Sequence, residues 1–180
     1  MKKAAIEYLK EDFFQRDSFC VAEELLACWL CRETEEGQLI RSRITEIEIY
    51  DGFADRASHA HRGKTARNQV MFGPAGRTYL YLCYGVHWLL NVTTREAGYP
   101  AALLIRGVQD CQGPGRLTRY FQLSGTDNDR PLSPDQGIWL APRSGSYDWR
   151  LEKRARVGID SAGSPWSDLR FRYCATQQSR

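Results

Sequence analysis

Residues 39–50 read Leu-Ile-Arg-Ser-Arg-Ile-Thr-Glu-Ile-Glu-Ile-Tyr, and their alternation predicts one long strand. In the second half, period two puts Glu46, Glu48 and Tyr50 on one face and Thr45, Ile47 and Ile49 on the other. The first half reverses this: Ile40 and Ile44 share the glutamate face, and Arg41 and Arg43 share the opposite one. A strand whose apolar face switches midway either runs from a core into a site or carries a bulge. Glu48, with an isoleucine before and after it, is therefore a candidate general base. A rim carboxylate paired with Arg41 or Arg43 is the plainer alternative, and Glu46 competes for the same role.

Upstream, residues 4–10 predict a short helix. Residues 19–30 predict a longer one capped by Asp17-Ser18, with Val21, Leu25, Cys28 and Trp29 at helical spacing. Glu33 to Gly37 is a polar turn. Downstream, residues 51–76 are irregular, with a short helix near 65–71 and a turn at Gly73-Pro74-Ala75-Gly76. Residues 77–83 and 88–93 form a hairpin joined through Tyr84-Gly85-Val86-His87. Hairpin tips are normally polar, and this one carries a tyrosine and a valine. Residues 101–105 predict a buried strand running into Arg106, which enters the interior and so needs a carboxylate or a bound anion. A plain structural Arg–Glu pair satisfies that need, and a pair with Glu48 can also hold a water. Residues 114–122 predict a helix, 123–137 a polar loop, and 138–141 and 169–173 strands.

A chain of 180 residues with 42% hydrophobic content predicts one domain over residues 1–180. No apolar run approaches the roughly 18 residues of a membrane span, and charge interrupts the N-terminus at Lys2, Lys3 and Glu7, so a soluble cytoplasmic protein is expected, not an exported one. The six cysteines then read as reduced core thiols. Residues 1–60 carry 8 Lys and Arg against 13 Asp and Glu, and residues 61–180 carry 17 against 9. The excess is mostly arginine, whose planar fork suits phosphate oxygens, although a merely solvated basic surface accounts for the charge equally well.

Tyr50, His59, Tyr79, Tyr81 and Tyr84 concentrate flat side chains in 35 residues. Stacked rings favour an electron-poor or cationic partner, while core packing is the plainer reading. Arg62 to Asn68, with Lys64, Thr65 and Arg67, resembles a phosphate-binding loop but lacks the spacing of a nucleotide-binding one, and suits backbone phosphates of DNA as well. His59 with His61, and Cys28 with Cys31, are weak metal candidates because no set of four ligands accompanies them. No metal is expected.

Taken together, residues 44–52 (ITEIEIYDG), 59–72 (HAHRGKTARNQVMF), 77–92 (RTYLYLCYGVHWLLNV), 103–106 (LLIR), 111–117 (CQGPGRL) and 155–159 (ARVGI) resemble the alkyladenine (3-methyladenine) DNA glycosylase family. The resemblance implies a mixed α/β (α+β) domain on a curved, mainly antiparallel sheet or open barrel, with peripheral helices and a protruding hairpin. It implies no metal or cofactor, and a monomer acting on double-stranded DNA that contains damaged purines.

By the same resemblance Glu48 activates the attacking water, and Arg106 and the Val157 carbonyl contact it. Tyr50, His59 and Tyr81 sandwich and orient the flipped base, Asn91 disfavours a guanine-type amino group, and Tyr84 fills the gap left in the duplex. Lys64, Thr65, Arg67, Val86 and His87 meet the DNA backbone or groove. His87 departs from the tyrosine expected there, and Val86 from a larger apolar residue. The implied activity is hydrolysis of the glycosidic bond of alkylated, and also deaminated, purines in base excision repair. The alternative is a non-catalytic RNA- or DNA-binding module on a barrel like the C-terminal domain of formyltransferases. A hydrolase with a metal at His59 and His61 stands third.

Overall fold

The face switch in residues 39–50 is a pair of bulges. Strand β2 (Leu39–Asp51) lies antiparallel to β5 (Ala101–Val108), with Ile44 opposite Val108, Glu46 opposite Gly107 and Ile47 opposite Ile105. Thr45 on β2 and Arg106 on β5 are thus left without a partner in the β2–β5 ladder, and both strands reverse their faces there. Ile44, Ile47 and Ile49 are all fully buried as a result, although strict alternation would put Ile44 with the glutamates. Bulges re-aim side chains, and here the site-facing rows of two strands end together on Glu46 and Arg106.

The structure, a computed structural model, describes residues 6–145 and 148–177. The remaining strands are β1 (Trp29–Glu33), β3 (Thr78–Cys83), β4 (His87–Thr93), β6 (Cys111–Gln112), β7 (Ile138–Ala141), β8 (Trp149–Arg154) and β9 (Arg172–Gln177). They form one curled sheet in the order β3-β4-β5-β2-β1-β7, with β6 on β5, β9 on β2 and β8 on β9. Every pairing is antiparallel. Three short helices, α1 (Glu11–Phe14), α2 (Ser18–Leu25) and α3 (Pro114–Tyr120), complete the mixed α/β domain.

The core lies on one face of the sheet. Ile47, Ile49, Leu80, Leu90, Leu103 and Ile105 pack there with Val21 and Leu25 of α2, Leu117 of α3 and Phe121 beyond it. Each such side chain contributes roughly 1.5–3 kcal/mol on burial. Asp17 caps α2 as its sequence predicts, accepting from the amides of Phe19 and Cys20. Ser18 then donates to Asp51 Oδ1 at 2.6 Å, tying the helix to the end of β2.

Several local readings change. Of the helix expected at 4–10, residues 1–5 lie outside the described residues, and 6–10 form no helix. There the Leu9 amide donates to the Leu140 carbonyl, and α1 starts only at Glu11. The helix expected over 19–30 stops at Leu25, because Ala27 takes a positive φ of 65° and Trp29–Glu33 pair with β2 and β7. Tertiary pairing overrides the helical spacing of Cys28 and Trp29. The helix near 65–71 is a single 3-10 turn, Gln69–Phe72. The last strand runs over Arg172–Gln177 instead of 169–173, and β1, β6 and β8 were not foreseen as strands. All six cysteines are free, but only Cys28, Cys31 and Cys174 are buried, and Cys20 is exposed.

Candidate active site

Away from the core, the same alternation builds a pocket. The register aligns Tyr79 with Asn91, Asn91 with Leu104, Leu104 with Glu48 and Glu48 with Arg172, a row across β3, β4, β5, β2 and β9. Residues two positions along each strand, Tyr81, Leu89, Ala102 and Tyr50, share that face. With His59, Arg67, α3 and residues 157–159, they line a cavity of about 820 Å³.

Glu48 sits at its base and is fully buried. Its Oε1 accepts the Val157 amide at 2.7 Å, and its Oε2 accepts the Tyr50 hydroxyl at 3.0 Å and Arg106 Nη1 at 3.4 Å. Burial pushes the carboxyl above the ordinary carboxylate range, opposed by Arg106, the Val157 amide and the Tyr50 hydroxyl. Arg106 Nε also donates to Glu46 Oε1 at 3.0 Å, an oxygen that Arg172 Nη1 contacts at 3.0 Å. The two glutamates are thereby differentiated. Glu46 is held between two arginines at the rim, and Glu48 is the desolvated one. Pairing of Glu48 with Arg41 or Arg43 does not occur, since both guanidiniums stack on Trp29, at 3.9 and 4.2 Å from its ring centre.

The aromatic side chains meet here as well. Tyr81 lies edge-on to His59 at 4.5 Å and tilted to Tyr79 at 5.6 Å, and His59 Nδ1 is 2.9 Å from the Tyr79 hydroxyl. Burial, with help from Arg67, pushes the His59 imidazole down, so it is neutral at pH 7. Burial also pushes Tyr79 up to about 12, and Tyr50 and Tyr81 upward, so all three hydroxyls keep their protons. The Asn91 amide group donates to the carbonyls of Tyr79 and Leu89. His61 turns away to the surface, with Nδ1 near the Phe53 carbonyl, so the two histidines do not converge.

The hairpin tip stands clear of the fold, with Tyr84 92% and Val86 63% exposed. Tyr84 and Gly85 have φ of 50° and 69°, and the Val86 amide closes the turn on the Cys83 carbonyl at 3.1 Å. Positive φ at both central residues is the hairpin-favoured geometry, which glycine takes freely and tyrosine only with strain. His87 is exposed and approaches Arg119 of α3 at 3.4 Å, a contact the sequence reading missed.

Two site residues make contacts beyond those expected of them. Val157 meets Glu48 through its amide, a group other than the carbonyl expected to contact the water. Thr65 is tied locally, its amide to Asn68 Oδ1 at 2.6 Å and its hydroxyl accepting the Asn68 amide. It shapes the loop that carries Lys64 and Arg67. Arg67 lines the pocket, with its guanidinium 5.2 Å from the Tyr81 ring centre, and Lys64 is 5.9 Å from that of Phe72. Arg116 and Arg119 at the pocket rim were missed, because a short helix of mixed composition gives no sign of where its arginines point.

Residues 12–112 and 108–179 match the family described as methylpurine-DNA glycosylase. A protein of Nitrosococcus oceani is 46% identical over 184 aligned residues, covering 89% of this chain and 88% of its own length. One of Myxococcus xanthus is 39% identical, covering 93% and 89%. One of Legionella pneumophila strain Lens is 36% identical, covering 92% of each. This chain belongs to the methylpurine-DNA glycosylase family. All three relatives bear the name "Putative 3-methyladenine DNA glycosylase". Membership in the methylpurine-DNA glycosylase family agrees with the resemblance of the six sequence blocks, which supply the strands and loops around the cavity.

Proposed function

We propose that the protein excises alkylated purines from double-stranded DNA inside the cell, as a monomer, by hydrolysing the glycosidic bond. The observation that carries this is the buried Glu48 carboxylate beneath an aromatic pocket. A carboxylate has about four acceptor positions. The Val157 amide, the Tyr50 hydroxyl and Arg106 occupy three, leaving one on Oε1 for a water. An alkylated purine is cationic and leaves readily, so the costly species is the sugar oxocarbenium ion, which the Glu48 charge stabilises while the carboxylate takes the proton of the water.

Tyr50, His59 and Tyr81 stack on the flipped base, and damaged bases cost less to unstack. Deaminated purines such as hypoxanthine are neutral and leave less readily, so they are expected as slower substrates of the same pocket. A non-catalytic binding module leaves the buried Glu48 without a role. The test is incubation with methylated duplex, where free methylpurine and an intact abasic strand are expected. Absence of free base would overturn the reading, and a borohydride-trapped covalent adduct would overturn hydrolysis.

Two further results are expected. If Arg67, Arg116 and Arg119 neutralise three phosphates, the affinity for undamaged duplex should fall by about 40-fold between 50 and 200 mM salt. An affinity that does not change over this range would argue against the DNA reading. Tyr84→Gly should fold at least as stably as the parent, because glycine relieves the positive φ. It should nonetheless lose about tenfold or more in excision from duplex, since the tyrosine fills the vacated stack, with little loss on single strands. Equal losses on both substrates would show that Tyr84 is not the wedge.

A further inference from the structure

Behind the pocket lies an ion pair that the proposed chemistry does not use. The Arg156 and Asp55 side chains are 0% and 1% exposed and pair through two bonds, Nη1 to Oδ2 at 2.5 Å and Nη2 to Oδ1 at 2.9 Å. Replacing such a pair by apolar side chains of similar volume is often neutral or stabilising, so stability alone is a poor account of it. Its contacts point elsewhere. Arg156 Nη1 also donates to the Ile49 carbonyl at 2.9 Å, on the residue between Glu48 and Tyr50. Its guanidinium carbon lies 4.7 Å from the centre of the Tyr50 ring and 5.3 Å from that of Phe171. The next residue is Val157, whose amide holds Glu48 Oε1. Asp55 accepts the Ala57 amide at 3.1 Å and its carbonyl accepts the Ser58 amide at 2.9 Å, which fixes the turn leading into His59.

Two consecutive stretches, the end of β2 and the loop carrying His59, therefore meet the distant segment carrying Val157 on one pair. We infer that Asp55 and Arg156 are positioning residues for excision, holding the Val157 amide against Glu48 and the Tyr50 ring in the base pocket. The inference rests on the proposed excision activity. Asp55 is the anchor, Arg156 the link, and neither touches the substrate.

The pair acts on Glu48 through its neighbours. Those facing Glu48 are Arg106 from β5, Glu46 and Tyr50 from its own strand, Tyr81 from β3 and the Val157 amide, with Arg172 of β9 bound to Glu46. If the Val157 amide drifts, the carboxyl loses a donor that favours its charged form, and more alkaline conditions are needed to ionise it.

The test is single-turnover release of methylated purine across pH for Asp55→Asn and Arg156→Lys, with duplex binding and thermal melting in parallel. Asp55→Asn keeps the size of the side chain but loses its charge. Its rate should fall about tenfold, and the acid limb of its profile should move up by about one pH unit, with binding nearly unchanged. Arg156→Lys should show the same shift at smaller amplitude, and it carries the test if Asp55→Asn does not fold. Phe121→Leu, in the core away from the site, should lower melting without moving the acid limb. Variants whose acid limbs stay with the parent's, or with that of Phe121→Leu, would overturn the inference. Absence of release by the parent protein would instead overturn the excision reading.

Discussion

Glu48→Gln is expected to bind damaged duplex and to lose most base release, by roughly 100- to 10,000-fold from the missing base alone. Lost stabilisation of the oxocarbenium ion adds to that deficit. The substitution keeps the reach of the side chain, but its new amide group cannot accept. The Val157 amide, the Tyr50 hydroxyl and Arg106 all donate to Glu48, so at least one of them loses its partner. Glu46→Gln is expected to do much less, because Glu46 lies between Arg106 and Arg172 and its loss disturbs only the placement of Arg106. Single-turnover release from alkylated duplex, with binding measured beside it, separates the two. Near-normal release by Glu48→Gln would place the base elsewhere, and a larger loss from Glu46→Gln would reverse the choice between the carboxylates.

The parts of this site legible in the sequence are those written in local alternation. The switch in residues 39–50 announced either a bulge or a run from the core into a site, and the hairpin announced an exposed tyrosine at its tip. Five apolar residues before Arg106 announced a cation that needs a carboxylate or a bound anion. Each is a statement about neighbours within a few positions. The assignment of roles to Tyr50, His59, Tyr81 and Asn91 came from family resemblance, since an aromatic strand alone reads as well for packing. What stayed hidden depends on long-range closure. Val157 reaches Glu48 across 109 positions, and Arg156 reaches Asp55 across 101. Strand β8, Trp-Arg-Leu-Glu-Lys-Arg, offers only Trp149 and Leu151 as an apolar face, too short a pattern to mark a strand until β9 pairs with it. β1 was misread because Cys28 and Trp29 fit a helical period, which pairing on both edges then overrode. Arg156 lacked the signal that marked Arg106, since only Ala155 separates it from the charged run Glu152-Lys153-Arg154.

Arg106→Gln is expected to produce a loss that depends on pH. Burial is the largest influence on Glu48 and raises its carboxyl, and Arg106 is the first influence opposing it. A neighbouring arginine lowers a carboxyl by about 1–3 pH units, so its removal should raise the pH at which Glu48 becomes a base by a comparable amount. A base must be ionised to act, and release should therefore fall about 10- to 1,000-fold on the acid side of the profile. Raising the pH should restore much of it. Glu46 sharpens the effect, because Arg106 also screens the two carboxylates from each other, leaving Glu46 with Arg172 alone once it is gone. Glu48→Gln, in contrast, has no carboxyl to ionise and should stay inactive at every pH. The comparison is single-turnover release by both variants from mildly acidic to alkaline pH, with melting followed to confirm folding. A uniform loss in Arg106→Gln, without recovery at high pH, would show that Arg106 acts by holding the water or substrate and not by tuning Glu48.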